Sequence, residues 1–176
     1  MKIDTSPLPI NVNFKLQEFF IEDLKDVRRV VPPYVFESVL RHHLIPLNFA
    51  RSELGCAIHI SRSSGFRSVH HEQSRGRNGL SLHCFGTGKE NPTIRDRMGA
   101  SDITLGSLDR EKWPDLIVLL SRLPYKRICL YPNNNFVHVD YNSTNKMFYT
   151  ADTPASKWKA ARFEQLLDLA KEMAND

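Results

Sequence analysis

The sequence predicts an α+β domain in which helices pack on a small, mostly antiparallel sheet. Segments with apolar residues at helical spacing stand near both ends and in the middle, and short apolar segments typical of strands lie between them. The turn-forming residues 132–135 separate two such segments and predict a hairpin. With 176 residues, the chain is long enough for one domain with a core, so we expect a single domain over 1–176.

Two helices are predicted in the first third of the chain. The apolar residues of the first recur at helical spacing and precede Pro32 and Pro33, which would end it; they are Leu16, Phe19, Phe20, Leu24 and Val27. A second apolar stripe, from Phe36 to Ala50, predicts a helix that packs on the first. His42 and His43 belong to this helix, where surface or packing roles are more typical than metal binding.

The middle of the chain predicts a short strand followed by loops. Residues 55–60 have the apolar character of a half-buried strand and lead into a polar loop over 61–68. Residues 72–98 are rich in Gly, Arg, Asn and Ser and show little periodicity, so we interpret them mainly as loop. A strand is expected around 100–105.

The last third predicts a helix, the hairpin and a closing helix. An amphipathic pattern covers 109–123, and strands are expected near 126–131 and 136–141. A further short strand is expected near 146–150, followed by a helix near 155–174.

Composition limits the classes of partner and compartment. The net charge is +4, and an excess of Arg and Lys between residues 62 and 97 is typical either of a surface for an anionic partner or of a solvated loop. No apolar run is long enough to cross a bilayer, so we expect no membrane span. The N-terminus lacks the pattern of a secretory signal, which predicts synthesis in the cytoplasm. Three widely spaced cysteines without a CxxC pair predict reduced thiols.

Three residues have settings that would turn a metal-binding side chain inward. They are His83 in Ser-Leu-His, Asp102 in Gly-Ala-Ser-Asp-Ile and His138 in Phe-Val-His-Val-Asp. Two imidazoles and one carboxylate suit zinc, and a tetrahedral site with three protein ligands keeps its fourth position for water. A lone His or Asp in a strand is usually structural. On the strand 136–141, His138 and Asp140 point to the same face because side chains alternate.

These residues resemble the D-alanyl-D-alanine carboxypeptidase branch of the LAS zinc metallopeptidases, which includes phage and bacterial murein peptidases. Three motifs carry the resemblance, in the family's order. They are Ser64-Gly65-Phe66-Arg67-Ser68, then Ser81-Leu82-His83-Cys84-Phe85-Gly86 continuing to Gly99-Ala100-Ser101-Asp102, and finally Phe136-Val137-His138-Val139-Asp140. Three ordered motifs are far more specific than any one of them.

The resemblance implies a Hedgehog/DD-peptidase-like fold and a zinc peptidase. It implies Zn2+ held by His83, Asp102 and His138. It further implies that Arg67 meets the substrate's carboxylate or its scissile carbonyl, and that Ser81 is a substrate-binding hydroxyl.

Two departures from the family pattern bear on the site. Residues Thr87 to Met98 look like an insertion between the first His and the Asp; rigid spacing would make Glu90 a ligand, but the context of Asp102 fits better. Asn135 stands where many members carry a catalytic Glu. Asp140 is then a candidate general base, with the alternative that it orients the ring of a zinc-bound histidine.

The neighbouring His70 and His71 follow the arginine loop. They are interpreted either as exposed loop residues or as groups that stabilise an oxyanion or protonate a leaving amine.

The expected function is hydrolysis of a peptide bond in the peptidoglycan stem, by a D-Ala-D-Ala carboxypeptidase or a murein endopeptidase. The missing signal pattern favours a phage lysis enzyme or a virion component that acts on the cell wall. One alternative is a catalytically silent cell-wall or ligand-binding domain of the same fold. A nucleic-acid-binding module is a third interpretation, but the basic stretch contains no recognised reader motif, so we expect no nucleic-acid partner.

Overall fold

A mixed six-stranded sheet, with helices packed against one of its faces, forms the framework of the computed structural model, which describes residues 14–21, 31–61 and 64–175. The fold is α+β, as predicted. The strands are β1 (His59–Ile60), β2 (Ala100–Thr104), β3 (Arg127–Tyr131), β4 (Phe136–Asp140), β5 (Met147–Thr150) and β6 (Lys159–Ala161). Their order across the sheet is β1-β2-β4-β3-β5-β6, and only the β3–β5 pair is parallel.

A long helix, α1, comprises Pro33–Ser38, a π-helical stretch Val39–Leu44 and Ile45–Leu54 without interruption. Pro33 occupies the first turn, where its missing N–H costs no hydrogen bond. The second predicted helix is therefore confirmed, with the proline pair beginning it.

The prediction of a continuous helix through Leu16, Phe19 and Phe20 is wrong, because the helical part ends at Phe19. A single 3-10 turn covers Leu16–Phe19, and Phe20 is extended and forms a bridge with Phe66. Leu24 and Val27 lie outside the described residues.

Three short helical elements lie within or extend into the segment 72–98, interpreted mainly as loop: α2 (Val69–Ser74), a 3-10 turn (Leu82–Cys84) and α3 (Ile94–Met98). Each begins at a hydroxyl residue whose oxygen accepts a backbone N–H, and these residues are Ser68, Ser81 and Thr93. One-turn helices started by such caps are too short to produce a periodic apolar pattern. The interpretation as mainly loop therefore holds for most of 72–98 but is wrong for the parts of these short helices that lie within it.

Two further helices complete the layer. Helix α4 (Trp113–Arg122) follows a 3-10 turn at Arg110–Lys112, and α5 (Phe163–Asn175) closes the chain. The predicted closing helix therefore begins later than expected, because Lys159–Ala161 pairs with β5 as strand β6. Among the described residues, no helix combines the length and apolar character needed to span a bilayer.

The two faces of the sheet have different chemistry because side chains alternate along each strand. Ile103, Val137 and Leu130 face the helices and are fully buried in the main core with Leu47 and Leu116. The opposite face carries Asp102 of β2, Arg127 of β3, and His138 and Asp140 of β4, whereas Ser101 of β2 faces the helices. The sheet thus separates an apolar core from a face that is available for chemistry.

The predicted hairpin joins β3 and β4 and sets their register. Asn135 adopts a left-handed conformation with φ of 51° at the end of the turn, which an asparagine tolerates. From Tyr131 opposite Phe136, the pairing runs back to Cys129 opposite His138. On the other side of β4, Asp102 lies opposite His138.

A buried histidine ties α1 to the strand that carries Asp102. The Nε2 atom of His43 lies 2.8 Å from the carbonyl oxygen of Met98, and its Nδ1 lies 3.0 Å from Oγ of Ser101. Burial lowers the pKa of His43 to about 3, so the ring is neutral, donates to Met98 and accepts from Ser101. The packing role predicted for His43 is confirmed.

Gly99, which precedes β2, fits only without a side chain. Its φ is +75°, and a Cβ there would collide with the ring of Phe85. Both the backbone conformation and the close approach therefore require glycine.

We predict that Gly99→Ala lowers the free energy of unfolding by about 3 kcal/mol or more, because strain and steric overlap add. Gly55→Ala separates the two causes, since Gly55 has φ +66° but open space, and about 1 kcal/mol is expected there. Gly106→Ala meets neither problem and should change stability by no more than about 0.5 kcal/mol. Urea unfolding followed by circular dichroism measures all three, and equal losses would contradict the steric explanation.

Candidate metal centre

His83, Asp102 and His138 come together although 55 residues separate the first from the last in sequence. His83 lies in the 3-10 turn Leu82–Cys84, Asp102 in the middle of β2 and His138 in the middle of β4. One ligand atom from each lies within 4.8 Å of the others, and all three residues are buried. We call these three residues the His/Asp/His group; the structure shows that they could bind a metal ion.

A backbone contact orients His83. Its Nδ1–H donates to the carbonyl oxygen of Gly65 at 3.0 Å, so Nε2 carries the lone pair. This Nε2 lies 3.5 Å from Oδ2 of Asp102. The loop that presents Gly65 is held in turn by the N–H of Arg67, which donates to the carbonyl oxygen of His83 at 2.9 Å.

His138 lies between two carboxylates. Its Nδ1 is 2.7 Å from Oδ1 of Asp102, and its Nε2 is 2.9 Å from Oδ2 of Asp140. Burial lowers the pKa of His138, but the hydrogen bonds to Asp102 and Asp140 outweigh burial and raise it to about 9. Burial raises the pKa of Asp102, but its contacts with His83 and His138 outweigh burial and hold that pKa well below its usual range. Asp102 is therefore an anion at neutral pH.

Asp140 is held from several sides. It is fully buried, and Arg127 binds both of its oxygens, through Nε at 2.8 Å to Oδ1 and Nη2 at 2.8 Å to Oδ2. The backbone N–H of Asn142 donates to Oδ1 at 2.7 Å. Burial raises the pKa of Asp140, but His138 and Arg127 outweigh it and lower the pKa to about 2. These contacts favour the role of orienting the ring of His138 over that of a general base.

The donor set fits zinc. Zn–N and Zn–O distances near 2 Å in a tetrahedron place ligand atoms about 3.4 Å apart. One ligand atom of each residue lies within 4.8 Å of the others, and the two Asp102 contacts, at 2.7 Å and 3.5 Å, run to different oxygens of its carboxylate. Each histidine also donates its other ring N–H to an oxygen, of Gly65 or Asp140, which is the usual arrangement for metal-ligating imidazoles.

The group lies in a cleft of about 900 Å³, which we call the metal cleft. Arg67 and Ser81, predicted to bind substrate, both line it, and Nη2 of Arg67 donates to Oγ of Ser81 at 3.3 Å. The other lining residues are Ser64, Glu72, Arg77, Asn78, Leu80, His83, Asp102, Tyr131, Phe136, His138, Pro154, Ala155 and Trp158.

Several of these residues had no clear signal in the sequence. Glu72 and Trp158 reach the cleft from α2 and from the segment before β6, so only the tertiary fold brings them there. Trp158 stacks edge-on against the His138 ring, with centroids 5.2 Å apart, and donates from Nε1 to the hydroxyl of Tyr131 at 2.6 Å. Arg127 was predictable, because counting back from the hairpin turn places it opposite Asp140.

Other candidate residues lie away from the group. Glu90, the alternative ligand, is exposed and is not part of the His/Asp/His group. Asn135 is a turn residue whose carbonyl oxygen accepts the N–H of Leu105 at 2.7 Å. His70 is exposed, and neither it nor His71 lines the metal cleft.

The segment Thr87 to Met98, interpreted from the sequence as an insertion, does not line the metal cleft either. It contributes Thr93, Ile94, Arg95 and Met98 to a separate groove. The segment contains helix α3 and packs beside this second groove rather than beside the metal cleft.

Comparison with known proteins found no matching family model, no similar curated protein and no similar solved structure.

We predict that His83→Ala and His138→Ala each abolish binding of one zinc ion per chain, because each removes one of three ligands. His59→Ala is the matched control, since His59 is exposed and lies outside the group. Elemental analysis after dialysis against zinc measures the metal, and circular dichroism checks that each variant is folded. Full zinc content in either ligand variant would refute the assignment.

For Asp140→Asn we expect zinc affinity to fall by about tenfold to a hundredfold, because the amide orients the His138 ring less well than the carboxylate. A competition titration with a chromophoric chelator measures this change. Asp115→Asn, an exposed carboxylate of α4, should match the unsubstituted protein. If the zinc affinity of Asp140→Asn is unaltered, Asp140 does not act by orienting His138, and it becomes the candidate general base again.

Proposed function

We propose that this protein is a zinc-dependent peptidase of the Hedgehog/DD-peptidase-like kind that hydrolyses a bond of the peptidoglycan stem peptide. The observation that carries the proposal is the buried His/Asp/His group lining an open cleft beside Arg67. A site with three protein ligands of this kind is typical of hydrolytic zinc enzymes. The three motifs that resemble the LAS metallopeptidases all contribute side chains to the same cleft, which supports the proposal.

The cleft suits a peptide substrate. Its volume of about 900 Å³ accommodates several residues, and its lining combines aromatic side chains with arginines. Tyr131, Phe136 and Trp158 provide apolar contact surface, whereas Arg67 provides paired donors for a carboxylate or a carbonyl oxygen. A substrate that is partly apolar and partly anionic fits this lining.

In this proposal the residues of the cleft have separate roles in metal binding and in substrate binding. When bound, zinc supplies Lewis-acid chemistry that makes peptide hydrolysis accessible at neutral pH. Arg67 and Ser81 bind and orient the substrate, and their hydrogen bond holds the guanidinium in place. Asp140 and Arg127 hold the ring of His138, so its Nδ1 stays directed at Asp102.

A catalytically silent binding domain is the second candidate, and one observation favours it. Apart from Asp102, the only carboxylate among the described residues that line the cleft is Glu72, which is ion-paired with Arg67 and Arg77. Asp140 is fully buried, and Asn135 lies in a turn. None of these three groups is placed as an unengaged base beside the metal-binding group.

The decisive test is digestion of purified peptidoglycan by zinc-loaded protein, with mass analysis of the released muropeptides. We expect release that a chelator abolishes and added zinc restores, and none with His138→Ala. His59→Ala should release the same products as the unsubstituted protein. One bound zinc per chain without any release would support the silent binding domain, and release that survives the chelator would refute a zinc mechanism.

A further inference from the structure

One wall of the metal cleft carries two arginines that share a single carboxylate. Oε1 of Glu72 lies 3.1 Å from Nη1 of Arg77 and 3.3 Å from Nε of Arg67. Glu72 is nearly inaccessible, since 2% of its side chain is exposed. Two guanidinium groups and one carboxylate leave this trio with a net charge of +1.

The two arginines occupy different depths. Arg67 is the inner one: 12% of its side chain is exposed, it donates to Ser81, and it interacts electrostatically with Asp102 of the metal-binding group. Arg77 is the outer one, with 49% of its side chain exposed. The cleft thus has a cationic group beside its centre and a second one nearer its opening.

Glu72 anchors Arg77 without covering it. The contact uses Nη1, and Arg77 lines the metal cleft with 49% of its side chain still exposed. Because the anchor is buried in α2, the long arginine side chain loses part of its rotational freedom before any ligand arrives. An arginine prepared in this way is suited to a planar, anionic group.

We propose that Arg77 is a specificity-determining residue that binds an internal carboxylate of an acidic peptide, namely the α-carboxylate of the γ-linked D-glutamate in the stem peptide. This inference rests on the proposed function for the identity of the peptide. The internal carboxylate is the matching charge because it is present in every unamidated stem, whether or not the terminal carboxylate has been consumed in a cross-link. In this arrangement Arg67 binds the carboxylate or carbonyl group next to the bond that is hydrolysed.

The experiment compares two synthetic pentapeptides that differ in one group. One is L-Ala–γ-D-Glu–L-Lys–D-Ala–D-Ala, and the other carries D-isoglutamine in place of D-glutamate, so a neutral carboxamide replaces the carboxylate. Both the ratio of kcat/KM values and the ratio of Kd values from calorimetry with the zinc-loaded protein are measured. We expect the carboxylate peptide to be favoured about tenfold, as for one accessible charge-assisted contact.

Arg77→Gln should lower that ratio to about one, and Arg77→Lys should give an intermediate value because it keeps the charge but not the planar fork. Arg75→Gln is the matched control: Arg75 is exposed, lies two residues away and does not line the cleft, so the ratio should stay at about ten. Circular dichroism verifies that the variants are folded.

The two measurements separate this inference from the proposed function. A binding preference that depends on Arg77, without cleavage of either peptide, would support the subsite and refute the peptidase. Cleavage of both peptides at equal rates, or a preference that persists in Arg77→Gln, would overturn the subsite and leave the peptidase standing. Equal binding or no binding of the two peptides, without cleavage, would also overturn the inference.

Discussion

The antiparallel register between β2 and β4 is the constraint on which the site depends, because it places Asp102 directly opposite His138. Side chains alternate along both strands, so a slip of one residue would turn one of these two candidate ligands into the core and expose an apolar residue in exchange. Ile103 and Val137, paired with each other on the opposite face, are fully buried against the helices. The apolar core therefore fixes the geometry of the polar face.

Charge pairing explains how so many ionisable groups remain buried on that face. A buried carboxylate is costly unless charged or hydrogen-bonding partners surround it. Asp102 lies between two histidines, and Asp140 lies between His138 and the paired donors of Arg127. Removing one member would leave its neighbour uncompensated. These residues are therefore a structural unit as well as a chemical one, and the same unit explains why Asp140 is poorly placed to exchange protons with a substrate.

The sequence allowed the prediction of those features that local patterns encode. The hairpin followed from its turn residues, the strand of Asp102 from its small and apolar neighbours, and the shared face of His138 and Asp140 from alternation. Glu72 and Trp158 could not be predicted, because α2 and the segment before β6 reach the cleft only through tertiary packing. The one-turn helices were missed since their caps, rather than any periodic pattern, define them.

The segment Thr87 to Met98 shows why sequence spacing is a poor guide to which carboxylate joins the His/Asp/His group. Its two ends meet in space, because the ring of Phe85 packs on the backbone of Gly99. The intervening residues are organised internally by the capping box of Thr93 and Asp96, and their last carbonyl group, at Met98, accepts from His43. Once the ends of a loop are joined, its length adds only a slowly growing entropic cost. The chain between His83 and Asp102 can therefore lengthen without moving either residue, and the spatial grouping of Asp102 with His83 and His138, rather than a residue count, favours Asp102 over Glu90 as a candidate ligand.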